Sequence, residues 1–122
     1  MAQTLFNKTQ SAGTETVDFN LPDGYKGAVL VLDITAKAGT LTHDVKVSYL
    51  DEVSGKAVDV PGASFAQKSA TGTSQLSIYP GLTASANVAV TQVLTKTLRA
   101  TSVVGGSGGP TSTFTLTVHP VQ

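Results

Sequence analysis

The chain predicts an all-β fold: a single β-sandwich or jelly-roll-like small barrel of about seven to eight strands. Three observations carry that prediction. Short runs alternate apolar and polar residues, which is the period of a half-buried strand. Turn signals fall about every eight to twelve residues, as in sandwiches and small barrels. They include Leu21-Pro22-Asp23-Gly24, Ser54-Gly55, Pro61-Gly62 and Tyr79-Pro80-Gly81. No segment carries a convincing helical pattern.

Residues 1–122 read as one domain, with 1–9 as an extended N-terminal arm. Leu5 and Phe6 are adjacent in that arm. With a side-chain period of two they cannot both face one core, so one of them is expected to meet another subunit or a neighbouring strand. Gln10 to Gly13 reads as a turn. Thr14 to Phe19 then alternates, with Val17 and Phe19 on one face. After the turn at Leu21–Gly24 comes the clearest core strand. Ala28, Leu30, Leu32, Ile34 and Ala36 share one face, and Val29 and Val31 make its first half apolar on the other.

Ala38-Gly39-Thr40 is expected to end that strand. His43 to Leu50 forms the next, with Val45, Val47 and Tyr49 inward, and Ser54-Gly55 turns it into a return strand over Ala57–Val60. Pro61-Gly62 should stop the return, and Ala63–Thr71 reads as a loop with room for one helical turn capped by Ser64. Ser74–Tyr79 alternates again with Leu76 and Ile78 inward. A long neutral crossover follows Tyr79-Pro80-Gly81, where proline cannot donate to a ladder and glycine admits the bend. The penultimate strand presents Leu98, Ala100, Ser102 and Val104 on one face. Gly105–Pro110 reads as a flexible hairpin tip. The last strand alternates Phe114, Leu116 and Val118 with Thr111, Thr113, Thr115 and Thr117.

Composition narrows the function classes. The 122 residues hold no cysteine, which excludes a disulfide framework, a thiolate metal site and a thiol nucleophile. Eight basic and eight acidic residues balance, and the cations are scattered, so neither nucleic acid nor an anionic membrane surface is an expected partner. No apolar run approaches the roughly 20 residues of a membrane-spanning helix. Residues 1–8 lack the pattern of a signal peptide, so synthesis in a cytoplasm is expected. Only 13% of residues are charged, against about 25% in ordinary soluble domains. Charge depletion suits a surface covered by neighbours. The plainer alternative is a threonine-rich β-protein whose strands come from β-branched residues.

Candidate chemistry is sparse. His43 and His119 are the only histidines. His43-Asp44 looks like the start of a ligand pair, yet successive strand residues point to opposite faces and a metal needs convergent ligands. Asp44, Asp51, Glu52 and Asp59 match no calcium loop. A carboxylate pair for glycoside hydrolysis lacks its aromatic cleft, because there is no tryptophan and there are only three tyrosines. Gly105–Gly109 precedes a strand and lacks the lysine of a phosphate loop. No nucleophile elbow occurs. No catalytic residue, metal ligand or cofactor is assigned, and an enzyme is not expected.

One stretch carries a family resemblance. Tyr79-Pro80-Gly81-Leu82, then Ala86-Asn87-Val88, then Val93-Leu94 and Lys96-Thr97-Leu98-Arg99 resembles a pattern in small β-rich virion proteins of tailed bacteriophages. There a strand ends in Tyr-Pro-Gly-Leu or Tyr-Pro-Gly-Ile. Ala-Asn-Val and Val-Leu-Pro-Arg-Thr-Trp-Arg segments follow, then a glycine-rich hairpin and a threonine- or serine-rich strand. Here Thr95 stands in place of proline, Lys96 of arginine and Leu98 of tryptophan. The resemblance implies a head decoration, or cement, protein that binds the major capsid protein on the capsid surface, as a homo-oligomer with a trimer favoured. Leu5, Phe6, Tyr79 and Leu82 are the candidate partner-interface residues. A tail tube or baseplate component is the alternative. A carbohydrate- or receptor-binding module is a third reading, and it usually needs exposed aromatics.

Overall fold

Two segments expected to be broken by glycine run through unbroken, and they set the architecture. In the computed structural model, which describes residues 2–122, Gly27–Leu50 is one strand and Thr97–Val121 is another. They pair antiparallel from Gly27 opposite Val121 to Tyr49 opposite Leu98. In chain order the strands are β1 (Gln3–Ser11), β2 (Gly13–Asn20), β3 (Gly27–Leu50), β4 (Ala57–Ser64), β5 (Gly72–Ile78), β6 (Ala89–Val90) and β7 (Thr97–Val121). Among the described residues there is no helix. The span 63–71 forms no helical turn: β4 continues through Pro61-Gly62 to Ser64, and Lys68 bridges to His43.

All seven strands belong to one sheet, ordered β1-β7-β3-β5-β6, with β2 also on β7 and β4 also on β3. The β5–β6 pair is parallel and the others are antiparallel. The all-β expectation holds, and the sheet is mixed and open, not closed into a barrel. The reason lies in β3 and β7. Each is long enough to serve two groups of neighbours, so the ladder runs on past Gly39 and past Gly105–Gly109.

A corner divides the sheet. The register slips between Ala38, opposite Thr111, and Thr40, opposite Ser107, leaving Gly39 against Gly108, Gly109 and Pro110. The stretch expected as a hairpin tip is therefore a kink inside β7. It needs glycine for two reasons. A Cβ on Gly106 would lie 1.9 Å from the Thr40 carbonyl oxygen, and Gly106 sits at φ +115°. A Cβ on Gly39, at φ +69°, would lie 2.8 Å from the Gly108 carbonyl oxygen. The first arm holds β1, β5 and β6 with residues 27–38 of β3 and 111–121 of β7. The second arm holds β2 and β4 with residues 40–50 and 97–107.

The inward faces of both arms feed one core. Leu30, Leu32, Ile34, Leu76, Ile78, Phe114, Leu116 and Val118 come from the first arm, and Phe19, Val45, Val47, Val60, Leu98 and Ala100 from the second. Each large aliphatic side chain buried there contributes about 1.5–3 kcal/mol. Ala36, expected on the face of Ile34, is exposed. An extra residue, Thr35, bulges out of the ladder between Ile34 and Ala36 and reverses the alternation.

Candidate functional site

The four predicted interface residues do not form one patch. Leu5 and Phe6 lie on β1, at one edge of the sheet, whereas Tyr79 and Leu82 follow β5, beyond β7 and β3. The adjacency of Leu5 and Phe6 is resolved inside the chain. Leu5 is an extra residue between the pairs Thr4–Thr117 and Phe6–Leu116. That bulge lets two neighbouring side chains approach the same core, which a regular strand forbids. Phe6 is 6% exposed, its ring centroid 5.5 Å from that of Phe114, and Leu5 packs against the core from its edge. The segment expected as an extended arm is thus a ladder strand paired with residues 111–118 of β7.

Tyr79 is half-buried and fixed. Its amide donates to the Val90 carbonyl, and its hydroxyl donates to the Gln122 carbonyl at 2.6 Å. Leu82 is exposed on the turn that follows. The crossover beyond it packs onto this domain. Val90 and Leu94 enter the core at 5% and 4% exposure, and the Leu94 amide donates to the Lys26 carbonyl. Asn87 stands at φ 61°, a left-handed position asparagine tolerates, while its side-chain amide donates to the Ser64 carbonyl. Arg99, the last residue of the resemblance, makes two bonds to Asp18, at 2.7 and 3.3 Å.

The outward faces of the two arms differ in chemistry. On the first arm the sheet presents Asn7 beside Thr115 and Asp33, and Thr9 beside Thr113, with Val31 beside Thr117 and Gln75. Thr9 and Thr113 share a hydrogen bond at 2.8 Å, and Thr73 donates to Asp33 at 3.0 Å. Asp33 is the single carboxylate in this array. The second arm carries alternating charge: Asp18 beside Arg99, and Lys46 beside Asp59 at 3.0 Å. Arg99 holds the Asp18 carboxyl below its ordinary pKa, and Lys46 and then Ser48 do the same for Asp59.

Sequence reasoning missed the buried polar cluster at the corner. Gln10 of β1, His43 of β3, and Ser102 and Ser112 of β7 are at most 1% exposed. The Gln10 amide nitrogen lies 3.0 Å from both the Gly13 and the Ser102 carbonyl oxygens. Carbonyls only accept, so that end of Gln10 is the NH2 group and its oxygen faces Ser102. The Ser102 hydroxyl donates to Gln10 Oε1 at 2.7 Å, so it must accept from His43 Nε2, also at 2.7 Å. Nε2 therefore carries a proton, and in the neutral ring Nδ1 accepts from the Ser112 hydroxyl, which lies 3.0 Å away. Burial lowers the pKa of the ring and so favours its neutral form, in which both nitrogens are used. Phe114 meets its ring edge-on with centroids 4.5 Å apart. Asp44 points away and accepts from Gln67.

This cluster holds the corner together and has no opening for a substrate. Among the described residues no group of three or more histidine and acidic side chains is placed to hold a metal ion. A surface groove of about 370 Å³ runs between Pro61-Gly62 and the segment Ala84–Gln92, and no titratable side chain lines it. The only sequence signal for the corner cluster was Ser102 on an otherwise apolar face. Gln10 looked like a turn residue. Compared with family models, curated proteins and solved structures, the chain matches none.

Proposed function

We propose that the protein is a structural component of a tailed-phage virion, a head decoration protein that cements the major capsid lattice from the capsid surface. The observation that carries this reading is the outward face of the first arm, where Asn7, Thr9, Thr113, Thr115 and Thr117 surround a single carboxylate, Asp33. Hydroxyl rows with a single charge suit burial against another protein, because interface cores are depleted in charged residues. Tyr79-Pro80-Gly81-Leu82 and its spacing to Arg99 add the phage resemblance. A single sheet whose two arms feed one core supplies the rigid block a cement protein needs. In this reading the working unit is a trimer, it uses no cofactor, and it is synthesised in the host cytoplasm.

The test is co-sedimentation of the purified chain with emptied, expanded phage heads, combined with its mass in solution. Saturable binding that Thr115→Lys weakens at least tenfold supports the reading. A six-fold ring or a polymerising tube would assign the chain to the tail instead, and a failure to bind heads would remove the cement role.

A further inference from the structure

The corner cluster has a consequence that does not depend on the virion reading. His43 is fully buried, and its neutral Nε2–H form satisfies every polar atom around it. An imidazolium has two N–H donors. Nδ1 would then have to donate to Ser112, turning the serine hydrogen into a site closed to water. Of the surrounding charges only Asp44 favours that proton, and burial of the ring outweighs it. On β3, Asp44 faces the other side of the strand and is engaged by Gln67. On β1 and β2, Lys8 and Glu15 are paired with each other. The chain segment carrying Lys68 pairs with His43 through backbone atoms. From β7 the ring meets only Ser102, Ser112 and Phe114.

We propose that this cluster is an acid-sensitive latch, in which protonation of His43 releases the joint between the two arms of the sheet. Gln10 and His43 lie on separate strands, and Ser102 and Ser112 flank the β7 kink on opposite arms, so one chain of hydrogen bonds spans the corner. Burial lowers the pKa of His43 below 6.5. A group whose folded pKa is depressed in this sense binds its proton more readily in the unfolded chain. Stability is therefore full above pH 6.5 and falls as the pH drops below it. The change is about tenfold in the unfolded-to-folded ratio per pH unit until the folded pKa is reached.

Urea denaturation between pH 7.5 and 5, together with ring-nitrogen NMR of both histidines, tests the latch. Expected are a roughly tenfold rise in the unfolded fraction per unit below pH 6.5 and a flat profile in His43→Gln. His119→Gln, altered at an exposed ring, keeps the slope. If His43→Gln does not fold, the NMR decides on the unaltered chain: His43 stays a neutral Nε2–H tautomer as the pH falls below 6.5. Stability that is flat from pH 7 to 5, an Nδ1–H tautomer, or a His43 ring that is already charged at pH 6.5 would overturn the proposal.

Discussion

The glycine corner and the long crossover invert their appearance in sequence. Gly105–Pro110 has the composition of a mobile tip, yet it lies inside a ladder with backbone within contact of where a Cβ would stand. The crossover 82–95 is neutral and long enough to read as a surface offered to a neighbour. In the fold it is held by two side chains, Val90 and Leu94, and by a backbone bond to Lys26. The corner is fixed by shape and by a satisfied polar cluster, the crossover by two apolar anchors together with its own hydrogen bonds to β5, Ser64 and Lys26. Small residues confer freedom only where there is space around them.

The sharpest way to break this contrast is a methyl group on each side of it. Gly106→Ala puts Cβ against the Thr40 carbonyl and should cost about 3–5 kcal/mol, or prevent folding, because backbone cannot move aside as a side chain can. Gly81→Ala, at φ +90° with open space around it, should cost about 1 kcal/mol from backbone strain alone. Circular dichroism and urea midpoints of the two variants compare them directly. Equal losses would mean that the corner is not the tighter site.

Anchors come next in size. Leu94→Ala should cost about 2–5 kcal/mol through the cavity it leaves, whereas Leu82→Ala, on the exposed turn, should stay within about 0.5 kcal/mol. Ser102→Ala strands the His43 Nε2–H and the Gln10 oxygen together, so a loss of about 2–3 kcal/mol is expected. Hydrogen exchange at the amides of residues 40–43 should quicken in that variant more than at residues 28–32.

The smallest effects belong to the outward face of the second arm. Asp18 and Asp59 have carboxyls held below 3.8 by Arg99 and by Lys46 with Ser48. Their contribution is present above pH 3.8 and lost as the pH falls through the folded values. Both sites are exposed, so each pair contributes less than about 1 kcal/mol. Asp18→Asn should therefore shift the urea midpoint only slightly, and that shift should shrink further in 1 M salt.

Much of the fold was legible because strand alternation is a local property. Leu30, Leu32 and Ile34, Val45 and Val47, Leu76 and Ile78, and Phe114, Leu116 and Val118 are all buried where period two placed them. The failures cluster at bulges. Leu5 and Phe6 were not expected to reach one core together, and Ala36 read as a core residue, because an added residue reverses alternation without any change in composition. Of the candidate site, Tyr79-Pro80-Gly81 was correctly located as the end of a strand. The corner cluster stayed hidden because its members are separated by 33, 59 and 10 residues along the chain.

By itself the sequence determined that the protein is built from strands, which residues line most of its core, and that its chemistry is poor in charge and free of thiols. Those follow from side-chain type and a two-residue period, both local. Only the tertiary structure decided that β3 and β7 run on through their glycines, that one open sheet shifts register at that line, and that His43 is buried beside it. A glycine has the same freedom in a hairpin tip and in a kink, and the approach of a second backbone chooses between them.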